Sequence, residues 1–232
     1  MILSEVEWQI VALSLKVSAV AIFGALPISF VLAWVLARKH FAGKVLLDAL
    51  VHLPLVVPPV VTGWLLLIVF GNNGPAGRWL EQTFGLQFMF RWTGAALAAA
   101  IMALPLMVRA MRLSIEAVDR KLEIAARTLG AGPWRTFFEI TLPLAFPGVL
   151  AGMVLGFARS IGEFGATITF VSNIPGETRT LPLAIYAALQ MPGNEADATR
   201  LAVVSVVLSL LALIVSETLA RRSMRERGGH VL

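Results

Sequence analysis

The residue types that carry catalytic or metal chemistry are few and scattered in this sequence. There is no cysteine and there are only three histidines, so the sequence predicts neither a disulfide framework nor a metal cluster. A His-Glu-x-x-His zinc pattern is absent, and so is a glycine-rich phosphate loop ending in Lys-Ser/Thr. We therefore expect no catalytic residue, no metal site and no cofactor in this chain.

One pair of ionisable residues has a spacing that suits a polar site. Arg159 and Glu163 are four positions apart near the end of an apolar segment, which places both on one face of a helix. We favour a structural ion pair at that position. An anion-binding site would need hydrogen-bond donors, and the candidate donors are Arg159, Ser160, Thr167 and Thr169.

The composition of the chain indicates a lipid bilayer. Hydrophobic residues make up 58% of the 232 positions, charged residues 14%, and the mean hydropathy is +0.82. A soluble domain carries about 25% charged residues. The net charge of +5 could suggest a nucleic-acid partner, but we expect none, because the basic residues lie in short loops between apolar runs. The first apolar run is too long for a signal-peptide core, so we expect it to stay in the mature protein.

Five apolar runs are long enough to cross a hydrocarbon core about 30 Å thick. They cover roughly residues 10–37, 45–70, 93–108, 140–161 and 201–218. A shorter run at 181–191 has prolines beside its ends, and it predicts a re-entrant or surface helix buried against protein. The expected fold class is an all-α integral membrane protein with five transmembrane helices in a single domain over 1–232.

The arginines and lysines predict which side of the membrane each loop faces. Of the 19 basic residues, 13 fall on one side: after the first span, between the third and fourth, and after the fifth. Positively charged loops stay in the cytoplasm. We therefore expect a protein of the cell inner (plasma) membrane with its N-terminus outside and its C-terminus in the cytoplasm. No internal repeat indicates an inverted-repeat transporter.

The basic loop between the third and fourth runs contains an ordered polar insert at about residues 119–139. Asp119 suits the cap of a helix that Gly130 would end in the left-handed conformation, and a Gly-Pro pair can begin a second helix. One interpretation is an amphipathic helix that lies in the lipid headgroups. The small side chains of Ala125 and Ala126 favour the other interpretation, close contact with a second protein.

The insert and the start of the fourth run carry a motif of fixed spacing: Glu-x-Ala-Ala-x-x-x-Gly, nine residues, then Ile-x-Leu-Pro. Its seven positions are Glu123, Ala125, Ala126, Gly130, Ile140, Leu142 and Pro143. This motif resembles the signature of the membrane subunits of bacterial ABC importers. The resemblance implies a type I importer permease, in which the insert is a coupling helix seated in a cleft of a separate, ATP-hydrolysing subunit.

The resemblance also implies partners for a non-catalytic permease. Five spans enclose too little space for a pathway, so we expect a homodimer of permeases. Two ATP-binding subunits would bind on the cytoplasmic side. A periplasmic oxyanion-binding protein would deliver the substrate, and membrane lipid would surround the spans.

Two further stretches narrow the resemblance to the molybdate permease branch. They are residues 52–63, which contain three prolines, and residues 158–170 with 173–180. Permeases for sulfate/thiosulfate and for tungstate share parts of the second stretch, so these anions remain alternatives. A stand-alone channel or secondary anion carrier is an alternative from another class, but it would need ionisable residues deep within the spans, and most spans are uncharged at their centres.

Two segments of irregular backbone are the candidate gate of the pathway. Pro58 and Pro59 remove backbone donors from the second run, while the end of the fourth run is rich in small and hydroxyl residues. A packing kink explains the prolines equally well. We predict that the two segments face each other across the dimer axis. The pathway and gate candidates are Pro58, Pro59, Arg159, Ser160, Glu163, Ala166, Thr167 and Thr169.

Overall fold

The fold is described over residues 3–228 in a computed structural model. All regular secondary structure in this range is helical and comprises eleven α-helices and one π-helical turn. In chain order they are α1 (Glu5–Arg38), α2 (Lys44–Val56), α3 (Pro59–Phe70), α4 (Pro75–Phe84), α5 (Trp92–Glu116), α6 (Arg120–Thr128), α7 (Pro133–Thr136), the π-helical turn (Phe137–Thr141), α8 (Leu142–Ile161), α9 (Gly165–Val171), α10 (Leu181–Leu189) and α11 (Glu195–Gly228).

Four helical segments in the described range are long and apolar enough to cross a membrane. They are α1, α5, the stretch Pro133–Ile161 that runs from α7 through α8, and Glu195–Val215 within α11. These four correspond to the first, third, fourth and fifth predicted spans. α5 is longer than its apolar run, because residues with charged side chains continue the helix to Glu116.

The second predicted span is two helices rather than one. α2 and α3 together are apolar enough to form a span, but they meet at an angle of 114°. Val57 and Pro58 between them are extended, with ψ of 136° and 134°. A residue that precedes a proline is driven out of the helical region, and both of these residues precede one. Counting the bent pair as a span gives five, and leaving it out gives four.

The core of the bundle is α5, which packs along both α1 and α8. Met107 and Met111 of α5 are fully buried in this core. On α8, glycines at 148, 152 and 156 follow one another at the spacing of one helical turn and face α5. A Cβ atom on Gly148 would lie only 2.1 Å from Ser114 Cβ, so the small residues permit the close helix contact.

At the opposite end of the bundle from the polar insert, a hydrogen bond and an ion pair join α10 and α11 to α1. Ser14 Oγ accepts a hydrogen bond from the Leu181 backbone N–H at 2.7 Å, and Arg200 Nε lies 3.1 Å from Glu7 Oε1. Leu181 and Leu183 are fully buried. The short apolar run is therefore a helix buried against protein, as the sequence predicted.

Candidate functional site

The polar insert has the local structure that its sequence predicts. The Asp119 side chain caps α6 by accepting a hydrogen bond from the Lys121 backbone N–H at 2.9 Å. The helix ends at Thr128, and Gly130 adopts a left-handed conformation with φ of +90°. The chain then turns, and Pro133 occupies the first position of α7.

Glu123 is the residue that ties the insert to the bundle. Its Oε1 atom accepts hydrogen bonds from Arg38 Nη2 and from Thr141 Oγ, both at 2.8 Å. The side chains of Arg38 and Glu123 are only 10% and 16% exposed, and Arg38 Nε is buried without a hydrogen-bond partner. One carboxylate therefore joins the end of α1, the insert helix α6 and the π-helical turn that leads into α8.

The π-helical turn fixes the second half of the insert against α1. The ring of Phe137 makes edge-to-face contacts with Phe30 and Trp34, at centroid distances of 6.1 and 5.0 Å. Thr136 and Thr141 are buried beside it. Phe137 therefore faces the bundle, whereas the neighbouring rings of Trp134 and Phe138 are exposed.

Those remaining apolar side chains form an exposed surface on the insert, which we call the insert surface. Its large members are Leu122, Ile124, Leu129, Trp134 and Phe138. Leu129 is 89% exposed and Trp134 is 75% exposed, although both are strongly apolar. Ala125 is exposed next to them, and Ala126 is half-buried. Several exposed large apolar side chains on an otherwise polar, basic segment are typical of an interaction site.

The second half of the motif lies at the start of α8 rather than on the insert surface. Ile140 belongs to the π-helical turn, and Leu142 and Pro143 are the first two residues of α8. Leu142 is half-buried and lines an apolar groove together with Phe137. These positions connect the insert to a membrane-spanning helix.

The candidate gate segments pack against each other within one chain. A Cβ atom on Gly63 of α3 would lie 2.6 Å from the Ala166 carbonyl oxygen, so α3 and α9 are in backbone contact. Gly165 is equally close to α3, since a Cβ atom on it would lie 2.7 Å from Pro59 Cβ. Ala166 is fully buried by this contact. A contact of the two segments across a dimer axis stays a prediction.

Arg159 and Glu163 form the ion pair that their spacing predicts, with 2.6 Å between Arg159 Nη1 and Glu163 Oε2. The Glu163 side chain is 1% exposed. Its other oxygen, Oε1, accepts a hydrogen bond from the Ala166 backbone N–H at 2.8 Å. Glu163 thus occupies the break between α8 and α9 and satisfies a donor at the start of α9, which favours the structural interpretation of the pair.

The candidate donors for an anion do not form one open site. Ser160 and Thr167 are buried, and Ser160 Oγ has no hydrogen-bond partner. Thr169 Oγ donates to the Gly165 carbonyl oxygen at 2.9 Å within its own helix. Arg159 is the charged member of this set, and its side chain is 26% exposed, so it can be reached from the surface.

This architecture is that of a transporter's membrane subunit, a helical bundle with broken helices and an apolar insert surface. Its fold matches that of a solved bacterial ABC transporter for alginate, crystallised in complex with a periplasmic protein carrying an alginate pentasaccharide. The TM-score is 0.73, and the match covers 94% of this chain and 80% of that chain. The sequence identity is 18%, so this likeness concerns the fold alone.

The chain belongs to the family described as binding-protein-dependent transport system inner membrane component, whose family profile matches residues 17–225. It is 60% identical to the molybdenum transport system permease protein ModB of Escherichia coli (strain K12), over 99% of this chain and 100% of that protein. It is 56% identical to ModB of Haemophilus influenzae, over 96% of this chain and 97% of that protein. The sulfate transport system permease protein CysT of Escherichia coli (strain K12) is 37% identical, over 96% of this chain and 79% of that protein.

The family makes this chain a multi-pass inner-membrane component of a transport system. It confirms the predicted class of protein, a type I ABC importer permease, and favours that class over a stand-alone channel or a secondary anion carrier. The roles of the individual motif and gate residues stay predictions.

Proposed function

We propose that this chain is the permease subunit of an ATP-driven importer and forms the pathway for molybdate. The observation that carries the proposal is the 60% identity to ModB along the whole chain. The identity to the sulfate permease CysT is 37%, and this difference supports molybdate over sulfate or thiosulfate. Tungstate has the same tetrahedral shape and charge as molybdate, so we expect it to compete.

Uptake of radioactive molybdate tests this substrate. The gene is expressed, with its ATPase and binding-protein partners, in a bacterial strain without its own molybdate and sulfate permeases. We expect molybdate uptake that excess tungstate suppresses and excess sulfate leaves unchanged. Uptake of sulfate with none of molybdate would contradict the assignment.

The assembly that we propose is a homodimer with two ATP-binding subunits on the cytoplasmic side and a periplasmic oxyanion-binding protein on the other. The ATPase activity then belongs to the separate subunits. Large apolar side chains of the bent pair α2–α3 support a partner there: Val56 is 83% exposed and Trp64 is 53% exposed. Side chains on this pair can contact either a second permease or lipid, and a pathway requires the former.

Within this assembly, the insert at about 119–139 couples the single permease domain, 1–232, to the ATPase. The insert surface supplies the apolar contact area, with Leu129 and Trp134 as its most exposed large side chains. Glu123 supplies the rigid connection to α1 and α8 through Arg38 and Thr141. Closure of an ATPase cleft around the insert would therefore move two membrane-spanning helices together.

The broken segments at Pro58–Pro59 and at 160–170 are the proposed gate.

Cysteine labelling tests the proposed topology, N-terminus outside and C-terminus inside. The wild-type chain has no cysteine, so single substitutions report cleanly. We expect Asn73→Cys, just after the bent pair, to react with an impermeant maleimide from outside, and Arg127→Cys on the insert to react only after the membrane is opened. If α2 and α3 formed a re-entrant loop with the N-terminus still outside, these two positions would exchange their behaviour. A third informative position, Gly229, lies outside the described residues.

A further inference from the structure

An apolar groove runs along the surface between α1 and α5. It has a volume of about 320 Å³, and only apolar side chains and Thr93 line it. Buried alanines at 21, 25 and 96 form its floor, and the larger side chains of Val20, Ile28 and Leu97 stand at its edges. Gly24 lies in the middle of the groove, and nothing is within 4 Å of the position that its Cβ atom would take.

A cationic pocket lies at the end of this groove, between α1 and the segment that joins α9 to α10. Its volume is about 320 Å³, and its polar lining includes Gln9, Lys16 and Arg179. Lys16 Nζ lies 3.6 Å from the centroid of the Trp92 ring, beside the groove residue Thr93. Among the described residues no carboxylate pairs with Lys16 or Arg179. Glu177, the nearest acid in sequence, instead accepts a hydrogen bond from the Trp92 backbone N–H.

Arg179 is held in place and still has donors free. Its Nε atom donates to Asn173 Oδ1 at 2.9 Å, which fixes the guanidinium group at the pocket. The other guanidinium nitrogens have no hydrogen-bond partner among residues 3–228. Two cations without counterions and one amide side chain are suited to a phosphate group.

The depth of Lys16 in the membrane follows from the sequence of α1. The uncharged stretch between Lys16 and Arg38 contains 21 residues. At 1.5 Å per residue it is about 32 Å long, close to the hydrocarbon thickness of about 30 Å. Lys16 therefore lies at a boundary between hydrocarbon and headgroups, where lipid phosphates are found. The distance along α1 from Lys16 to the far end of the groove at Ile28 is about 18 Å, roughly the depth of one leaflet.

We propose that this groove is a binding site for one anionic phospholipid. Its phosphate binds Lys16 and Arg179, and one acyl chain lies in the groove across Gly24. The inference is independent of the transported substrate, and with the topology proposed above the lipid belongs to the outer leaflet. A bound lipid supplies the counter-charge that Lys16 and Arg179 lack and covers the buried alanine floor.

The charge at the end of the groove favours an anionic lipid over a helix of a second copy. A helix from another copy would have to bring an acidic side chain to Lys16 and Arg179 at the membrane boundary, whereas an anionic lipid carries its phosphate there.

Native mass spectrometry of the complete transporter with defined lipids tests the site. The probes are palmitoyl-oleoyl phosphatidylglycerol and the matching phosphatidylcholine. Gly24→Leu fills the groove, and leucine is a better helix former than glycine, so the variant should fold. Lys16→Gln combined with Arg179→Gln removes the charges. Phe23→Leu is the matched control, because Phe23 is 64% exposed and adjacent in sequence but does not line the groove.

We expect about one tightly held phosphatidylglycerol per permease in the wild type and in Phe23→Leu. Both groove variants should lose it about tenfold or more, as expected when about 1.4 kcal/mol or more of binding energy is removed. Equal retention of phosphatidylcholine, or retention of phosphatidylglycerol in Gly24→Leu, would overturn the proposal. So would dissociation of the permease pair in Gly24→Leu, because the groove would then be covered by a second copy. Displacement of the lipid by soluble molybdate would also overturn it.

Discussion

Reversing the charge of Glu123 is expected to reduce transport about tenfold or more while the permease still inserts in the membrane. In Glu123→Arg, Arg38 loses its partner and meets a second cation in a site where its own side chain is 10% exposed. Breaking a buried ion pair typically costs about 3–5 kcal/mol. The insert can avoid this cost by detaching from α1 and from Thr141. Uptake and substrate-stimulated ATPase activity should then fall together, by about tenfold or more if 1.4 kcal/mol or more of the coupling is lost.

The insert itself offers a matched control. Arg135 and Glu139 form an ion pair on the same segment, but their side chains are 69% and 60% exposed. Exposed pairs contribute about 0–1 kcal/mol, so Glu139→Arg should change transport little. The exchange Arg38→Glu with Glu123→Arg should recover part of the uptake. Equal losses in Glu123→Arg and Glu139→Arg, without recovery in the exchange, would show that Glu123 acts by another route than its bond to Arg38.

Local rules predicted the backbone of the insert. Asp119 caps and Gly130 ends α6 for reasons that depend on residues within one or two turns, so the sequence alone was sufficient. Hydropathy likewise predicted four of the membrane-crossing helices, because a span depends on a continuous apolar run.

The partners of Glu123 were not predictable in the same way. Arg38 is 85 positions away, and no periodicity in the sequence relates the two residues. Thr141 is closer, but it lies inside the motif at a position that the motif leaves free. The π-helical turn was also missed; Phe137, its first residue, faces the bundle, while Trp134 of α7 remains exposed. A π-turn depends on tertiary contacts, here the rings of Phe30 and Trp34.

The proline-rich segment shows how far a local rule extends. The rule that proline disrupts a helix applies to Pro54, Pro58 and Pro59, but Pro54 lies inside α2. The break falls where two successive residues each precede a proline, at Val57 and Pro58. The angle of 114° across this break is not encoded locally. It depends on the contact of α3 with α9, in which Gly63 meets the backbone of Ala166.

Removing the charge of Arg159 is expected to destabilise the proposed gate more than removing the charges of both residues in its ion pair. In Arg159→Gln, the carboxylate of Glu163 remains 1% exposed and loses its counterion. An uncompensated buried charge costs about 3–5 kcal/mol. In the double variant Arg159→Gln with Glu163→Gln no buried charge remains, and the amide oxygen of Gln at 163 can still accept from the Ala166 N–H. The melting temperature of the purified transporter should therefore fall in the single variant and recover in the double variant.

Uptake kinetics then separate a structural role of Arg159 from a role in binding the anion. If the pair only holds the start of α9, transport should recover along with the melting temperature, and the KM for molybdate should match that of the wild type. This is the expected result, because the other three candidate donors are not open to an anion: Ser160 and Thr167 are buried, and Thr169 donates within its own helix. A double variant that melts like the wild type but transports molybdate poorly would contradict it. Arg159 would then contact the substrate in the pathway, and its pairing with Glu163 would be one state of a moving gate.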